Sequence, residues 1–399
     1  MNLARLKRVY THGAIIVVNT VALVLILDGA AWVAIQTRHR SDVSVNPVRR
    51  YGAERLLRGY PGRRQEDVLA LLHETWDEVD RRTRYEALTE FSEAPFRGAY
   101  VNVEPGGFRA GKVQSAWPPD PAGFNIFVFG GSTTFGYGVS DDETLPSAIQ
   151  DCAPSARGRA VHVYNFGRGS YFSTQELMLY YRLLASGHTP SVAIFVDGLN
   201  DFADLPAHLA GELDATATLR SLVDESEWGN DVGSLRTFLN RTSLGRFAGW
   251  MRRRKDRPDS SFQRAERPDE ATLVRVRDRW LLNRKLIGAL SVMFHVRPVF
   301  VWQPVPNYRY DYRRFHLLRE FGETALSWGE ATASGYAVMA RSRTELEAQN
   351  DFLWLADIQE NVRENLYVDE FHYTPPFMKE IAVHICGFLQ QHKDDFVSR

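Results

Sequence analysis

After Pro121, five short and almost continuously apolar runs alternate with segments of helical periodicity. The runs occupy residues 125–129, 161–165, 192–196, 299–302 and 352–356. Runs of this length and composition are typical of strands that are buried on both faces of a parallel sheet. The sequence therefore predicts an α/β fold, a three-layer sandwich around a five-stranded parallel sheet.

Apolar stripes at helical spacing fall between the runs and after the last one. The stripes begin at Leu145, Leu177, Val276 and Met378. Ser173 and Glu176 come just before the second stripe and have the spacing of a capping box. In a capping box, each side chain bonds to the backbone at the other position. These stripes provide the helices that would cover the sheet.

Residues 13–35 form an apolar stretch of 23 residues with one charge, Asp28. At about 1.5 Å per residue, a helix of this length spans a hydrocarbon core of about 30 Å. A cleaved signal peptide is the alternative, but the stretch is longer than the usual apolar region of a signal peptide, and the cleavage pattern near Ala31 is poor. We therefore predict an uncleaved signal anchor over residues 1–36, with one transmembrane helix. Basic residues on both sides leave its orientation open.

Residues 37–120 are rich in arginine and interrupted by proline and glycine, which predicts a membrane-proximal stalk or cap with one helix from Glu66 to Arg81. The α/β domain would span residues 121–399 and carry an insertion at about 202–269, much longer than a usual connection. The insertion is acidic first and then basic at Arg252–Arg257. We interpret it as a solvated insertion that influences substrate choice, with contact to anionic glycan or lipid head groups as the alternative.

The charges are balanced, with 48 Lys and Arg against 49 Asp and Glu, so no basic field indicates a nucleic-acid partner. The two cysteines, Cys152 and Cys386, are too far apart for a CxxC site, and His73-Glu74 lacks the second histidine of a zinc motif. We predict no metal and no cofactor. Because both cysteines fall on apolar helix faces, buried thiols are the first interpretation, and a disulfide is the alternative outside the cytosol.

Polar residues follow four of the apolar runs, where ligands of open parallel sheets bind. Ser132 follows the first run, the turn 165–170 the second, Asn200 the third and the pair Asp369 and His372 the fifth. Acyl transfer needs a nucleophile, a base, a group that orients the base, and donors for an oxyanion. The four positions together supply that set, although a serine in a glycine turn would by itself be ordinary.

With these four blocks in this order, the chain resembles the GDSL/SGNH hydrolases over about residues 121–389. The resemblance implies an SGNH/flavodoxin-like fold and a triad with Ser132 as nucleophile, His372 as general base and Asp369 as the residue that orients it. It also implies an oxyanion hole formed by the N–H groups of Ser132 and Ser170 and the side-chain amide of Asn200.

Within this resemblance, Gly167, Gly169 and Gly198 would form the supporting turns. The sequence departs from the family pattern at Gly131, where an aspartate is usual, and at Ser170, where the oxyanion glycine is expected. A serine can donate its backbone N–H there if its φ and ψ are ordinary.

The resemblance predicts a membrane-anchored serine acyl-ester hydrolase that forms an acyl-enzyme on an O-acylated envelope glycan or lipid. Its catalytic domain would lie on the periplasmic side, as in similar anchored members. Two alternatives stay open: an O-acyltransferase for a cell-surface polysaccharide, and a non-catalytic glycan-binding subunit with a relic site.

Overall fold

The structure, a computed structural model, describes residues 3–38, 46–80, 82–154, 158–203, 268–320 and 329–392. The chain divides into two compact units, one of Met1–Ser44 with Thr216–Gln263 and one of Val45–Ala215 with Arg264–Arg399. The predicted insertion, including its basic cluster, falls almost entirely outside the described residues.

The helices that the structure describes account for each apolar stripe of the sequence. In chain order they are α1 (Leu3–Arg38), α2 (Pro47–Tyr51), α3 (Ala53–Leu56), α4 (Gln65–His73), α5 (Ser132–Phe135), α6 (Leu145–Cys152), α7 (Ser173–Ala185), α8 (Leu199–Ala203), α9 (Glu270–Met293), α10 (Tyr312–Phe315), α11 (Gly329–Ala340), α12 (Arg343–Glu347) and α13 (Pro375–Gln391). Short 3₁₀ helices lie at Leu57–Gly59 and Asp141–Glu143. The helix predicted over Glu66 to Arg81 is observed as α4 followed by a π-helix, Glu74–Val79.

The strands form two small antiparallel pairs and one large parallel sheet. In chain order they are β1 (Thr83–Glu86), β2 (Glu90–Glu93), β3 (Phe96–Arg97), β4 (Asn102–Val103), β5 (Phe124–Gly130), β6 (Val161–Gly167), β7 (Val192–Asp197), β8 (Arg297–Trp302) and β9 (Phe352–Trp354). Strands β5 to β9 coincide with the five predicted runs and pair in parallel in the order β6-β5-β7-β8-β9. The predicted α/β fold with a five-stranded parallel sheet is thus confirmed.

The two faces of the sheet are packed with different side chains. On one face Phe129, Phe195 and Phe300 are paired in register on adjacent strands and stack, with ring centroids 4.8 and 5.4 Å apart. The other face is aliphatic, with Ile126, Val128 and their neighbours packed under α6 and α13. Both faces are buried because helices cover each of them, as the continuous apolar runs require.

The two cysteines are bonded to each other. The disulfide joins Cys152 at the end of α6 to Cys386 in α13, with the Cα atoms 5.9 Å apart. The first interpretation, two buried thiols, is therefore wrong. The two helices flank the same face of the sheet, and their packing brings the two side chains within bonding distance.

The segment from Asn46 to Val103, which we call the cap, packs onto the α/β domain and belongs to the same compact unit. Leu56, Val68 and Leu71 are fully buried in a cluster that also contains Phe135 and Val368 of the domain. The cap therefore lies next to the chain segments that follow β5 and that carry Asp369 and His372.

Helix α1 contains one segment, Thr11–Ala30, that is long and apolar enough to cross a membrane, with mean hydropathy 2.1 and no residue buried. Length and composition alone support this statement. The signal anchor predicted over residues 1–36 remains a prediction.

Candidate active site

The site lies at the carboxyl edge of the sheet. Counted along the chain, the strand order of the sheet is 2-1-3-4-5, so the connections leaving β5 and β7 run to opposite sides. A crevice forms where neighbouring connections diverge in this way. Ser132 directly follows β5 and Asn200 directly follows β7, so both lie at the diverging point.

The structure brings Ser132, His372 and Asp369 together. The Oγ of Ser132 lies 2.9 Å from Nε2 of His372, and Nδ1 of His372 lies 2.7 Å from Oδ2 of Asp369. All three side chains are buried, with Ser132 the most accessible at 7% exposure. This is the arrangement of nucleophile, base and orienting carboxylate that the sequence predicts.

The carboxylate of Asp369 is held in its ionised form. Burial by itself would raise the pKa of Asp369, but the attraction of His372 and hydrogen bonds to the carboxylate outweigh burial and lower the pKa below its ordinary value. Its Oδ1 accepts the backbone N–H groups of Phe371 and His372 at 3.1 and 2.9 Å. An ionised acceptor at Nδ1 places the proton of a neutral His372 there and leaves Nε2 free to accept the proton of Ser132.

The amide of Asn200 lies beside the turn that carries Ser132. Its Nδ2 donates to the carbonyl oxygen of Tyr171 at 2.7 Å, which leaves its second hydrogen available. A Cβ atom on Gly131 would lie 2.2 Å from the same nitrogen. A side chain at position 131 would have to displace the Asn200 amide from its observed place, and the glycine leaves that place free.

Ser170 differs from what the sequence suggests. Its φ is +59°, in the left-handed region, so its backbone angles are not ordinary, but the N–H group is present in this conformation too and can still donate. This conformation explains why a glycine is expected at the position. Among the described residues, the N–H groups of Ser132 and Ser170 have no acceptor, so both are available to a ligand.

The three predicted supporting glycines each lie at a tight contact. A Cβ on Gly167 would be 2.3 Å from the backbone nitrogen of Phe135 in α5, and one on Gly169 would be 2.6 Å from the Tyr137 hydroxyl. Gly198 has φ +122°, and its N–H donates to Asp201. The contacts of Gly167 and Gly169 place the end of β6 directly against the segment that follows Ser132.

The arrangement of the blocks can now be compared with that of known proteins. The order of the strands and the four polar blocks at their carboxyl ends match those implied by the resemblance. The domain has an α/β fold around a five-stranded parallel sheet. No protein-family model matches the chain, and no curated protein matches it.

Among solved structures, this chain is similar to a protein from Desulfitobacterium hafniense DCB-2 described as a putative lipolytic protein of the G-D-S-L family. The identity is 13%, the TM-score is 0.35, and the match covers 67% of this chain and 99% of that chain. We therefore take the function from this chain's own residues.

A buried arginine stabilises the turn that follows Ser132. The guanidinium of Arg109 donates to the carbonyl oxygens of Phe135, Gly136 and Val139 at 2.6 to 3.0 Å and pairs with Asp141 at 2.9 Å. The side chain is fully buried, and its donors pair with carbonyl oxygens of the interior, among them that of Phe135, which also accepts the side-chain amide of Asn165 at 3.1 Å. Sequence reasoning missed Arg109, since nothing in its local pattern separates it from the other arginines of residues 37–120.

The hairpin β1–β2 of the cap contacts the turn at residues 165–170. The carboxylate of Glu93, itself buried, accepts the N–H of Gly169 at 2.7 Å. Arg168, which is 1% exposed, pairs with Glu86 at 2.7 Å and donates to the carbonyl of Gly107. The left-handed conformation at Ser170 is therefore fixed by partners on both sides, which compensates for its local strain.

The cap also contacts the loop that carries Asp369 and His372. Glu370, between them in sequence, pairs with Arg50 at 2.7 Å and accepts the hydroxyl of Tyr51. Burial raises the pKa of the Glu370 carboxyl despite the nearby Arg50. No sequence pattern indicated that α2 would reach this loop.

The predicted capping box at Ser173 and Glu176 is wrong. Helix α7 begins at Ser173, whose hydroxyl donates to Asp201 at 2.7 Å, and Glu176 is buried against Asp197. A capping box is observed instead at Ser140 and Glu143. Both side chains contact aspartates near the end of β7 and the start of α8 and therefore do not cap α7.

Glu176 and Asp197 form a buried carboxyl pair. Burial and the charge of Asp201 raise the pKa of Asp197 to about 8, although hydrogen bonds from Trp280 and Glu176 act in the opposite direction. Burial and the charges of Asp197 and Asp201 raise the pKa of Glu176 well above its ordinary value. The pair therefore holds at least one proton at neutral pH, because two buried carboxylates in contact do not both ionise readily.

The raised pKa values of this pair predict that the free energy of unfolding falls as the pH rises. Both pKa values are raised in the folded state, so the stabilisation by the protonated forms is complete below about pH 4 and is lost as pH rises through about 8. Glu176→Gln retains a donor toward Asp197 but does not titrate. We expect urea unfolding in detergent to show a smaller fall of the unfolding free energy between pH 6 and 9 for this variant. Glu380→Gln, at an exposed position of α13, is the control; equal slopes for all three proteins would contradict the prediction.

Proposed function

We propose that the chain is a membrane-anchored serine acyl-ester hydrolase of the SGNH type. The observation that carries the proposal is the continuous set of contacts from Ser132 Oγ through the His372 imidazole to the Asp369 carboxylate. An SGNH-type fold is compatible with several activities, and this set of contacts is what favours acyl transfer among them.

In the first half of the reaction, Oγ of Ser132 attacks the carbonyl carbon of an ester while Nε2 of His372 takes the serine proton. The carbonyl oxygen becomes an oxyanion. The N–H groups of Ser132 and Ser170 and the free amide hydrogen of Asn200 are the donors available to stabilise it. Asp369 stabilises the imidazolium by its charge.

The tetrahedral intermediate then loses the alcohol, which leaves with the proton of His372, and the acyl group remains on Ser132. Water takes the place of the alcohol, gives a proton to Nε2 and attacks the acyl carbon. A second tetrahedral intermediate releases the carboxylic acid and restores the Ser132 hydroxyl. The proposed substrate is an O-acylated envelope glycan or lipid.

We further propose that α1 anchors the chain in a membrane and that the SGNH domain lies on its periplasmic side. The disulfide between Cys152 and Cys386 supports this side, because such bonds persist in oxidising compartments and are rare in the cytosol. The apolar segment of α1 supports the anchor by length and composition.

The test uses the full chain purified in detergent and treated with a fluorophosphonate probe. We expect one covalent label, on Ser132, together with hydrolysis of p-nitrophenyl acetate. His372→Asn should reduce both by at least about 100-fold, because the hydroxyl then lacks its base. A labelled enzyme that releases p-nitrophenol only when a polysaccharide acceptor is added, with the acetyl group recovered on that acceptor, would favour the O-acyltransferase. If the chain is neither labelled by the probe nor active on the ester, that result would favour the non-catalytic subunit.

A further inference from the structure

Strand β8 is followed by a polar residue that takes no direct part in the proposed reaction. This residue is Gln303, which is 2% exposed. Its backbone is held on both sides, because its N–H donates to the carbonyl oxygen of Asp197 at 3.1 Å and its carbonyl oxygen accepts the Tyr336 hydroxyl at 2.9 Å. The point from which the Gln303 side chain extends is therefore fixed by two hydrogen bonds.

The side chain of Gln303 joins the two chain segments that carry the proposed nucleophile and base. Its Oε1 accepts the hydroxyl of Thr133 at 2.7 Å and that of Tyr373 at 2.8 Å. Thr133 directly follows Ser132 in the sequence, and Tyr373 directly follows His372. One buried amide oxygen thus connects the neighbour of the nucleophile to the neighbour of the base.

This connection bears on the distance between the reacting atoms. Ser132 and His372 are 240 residues apart in the sequence, and transfer of the serine proton requires Oγ and Nε2 to stay within hydrogen-bond distance, which is 2.9 Å in the structure. Consecutive Cα atoms are about 3.8 Å apart, so a displacement of Thr133 or Tyr373 also moves the residue before it. An acceptor shared by both hydroxyls in the interior therefore resists a change in that distance.

We propose that Gln303 is a positioning residue that keeps Ser132 and His372 at the distance of proton transfer, an inference that rests on the proposed esterase function. Gln303 acts on the two side chains through Thr133 and Tyr373. A misplacement of reacting groups by about 1 Å can lower a rate about 100-fold. Because Ser132 and His372 serve both the formation and the hydrolysis of the acyl-enzyme, loss of the shared acceptor slows both steps.

The first test compares Gln303→Met with the wild-type full chain in detergent. Methionine has a similar length but lacks the acceptor. We expect kcat for p-nitrophenyl acetate and the rate of fluorophosphonate labelling to fall about 10- to 100-fold, while KM changes less than about threefold. Thr133→Val should lower kcat at least about fivefold. Thr133→Ser, which retains the hydroxyl, should keep kcat within about threefold of the wild-type value.

A double variant tests whether the two residues act through one contact. Thr133→Val and Gln303→Met remove the same hydrogen bond, so together they should give a kcat within about threefold of that of Gln303→Met alone. If the double variant instead shows the product of the two separate losses, Thr133 and Gln303 act independently and the proposal is wrong.

Gln150→Met is the matched control. The amide of Gln150 also makes two hydrogen bonds, since it donates to the carbonyl oxygen of Val161 at 3.0 Å and accepts the N–H of Val163 at 2.9 Å. These contacts lie near the start of β6, at the opposite edge of the sheet from Ser132. This variant should lower the unfolding free energy, measured in urea, without lowering kcat. It separates a loss of stability from a loss of positioning.

Three further results would overturn the proposal and leave the esterase standing. They are wild-type kcat in a folded Gln303→Met variant, the same kcat for the valine and serine variants of Thr133, and an equal loss of kcat in Gln150→Met. If Gln303→Met does not fold, the two Thr133 variants decide. A wild-type chain that neither hydrolyses p-nitrophenyl acetate nor reacts with the fluorophosphonate would show that the proposed function itself fails, and the inference would fail with it.

Discussion

Replacing Ser132 by alanine should lower kcat for acetyl-ester hydrolysis by at least about 10⁴-fold and leave the fold intact. The variant loses the only oxygen that lies within hydrogen-bond distance of Nε2 of His372 among the described residues. Catalysis that remains after loss of a nucleophile comes from the oxyanion donors and substrate binding, and is typically about 10³- to 10⁴-fold above the reaction in water. Rates are measured with p-nitrophenyl acetate, and unfolding by circular dichroism.

The control for this change is Ser186→Ala, at the exposed end of α7. It should retain wild-type kcat and wild-type labelling by the fluorophosphonate. A well-folded Ser132→Ala protein that keeps more than about a tenth of the activity would exclude Ser132 as the nucleophile.

Reduction of the disulfide should lower the unfolding free energy by about 5 kcal/mol. The bond closes a loop with a sequence separation of 234, and in the chain-entropy model the stabilisation grows with the logarithm of loop length. The chain contains only two cysteines, so a reductant acts on this bond alone. Urea unfolding in detergent, with and without reductant, measures the difference.

The double variant Cys152→Ser and Cys386→Ser is the companion measurement. It should match the reduced wild type and no longer respond to reductant. A wild-type protein whose unfolding midpoint is the same in both conditions would show that the bond does not form in the purified chain.

The sheet and the four polar blocks were predictable because each depends on a local pattern. Strands buried on both faces must be apolar throughout, and polar residues that follow such strands in a parallel sheet come to the same edge. Ser132, His372 and Asp369 could therefore be assigned without knowing any contact between them. The disulfide could not be assigned from sequence, because two cysteines on apolar helix faces give the same sequence pattern whether they are bonded or free.

The role of the cap could not be predicted from sequence either. Trp76 appeared only as one apolar position of a helical stripe, which indicates burial but not the surface it packs against. Glu93 and Arg168 are charged residues in unremarkable sequence, and their burial depends on pairing that only the folded chain creates. The left-handed backbone at Ser170 could not be predicted either, because a serine in the sequence does not indicate a positive φ.

The disulfide also determines whether the fragments of a proteolytically cleaved chain stay joined. Asp369 and His372 lie between the two cysteines, whereas Ser132 precedes Cys152 by twenty residues. A protease that cleaves at one bond between Cys152 and Asp369, for example within Arg252–Arg257, would place the serine and the histidine on different polypeptides. The two polypeptides would still form one covalent molecule, which separates on a gel only after reduction. In an oxidising compartment a nicked enzyme would therefore keep its complete triad.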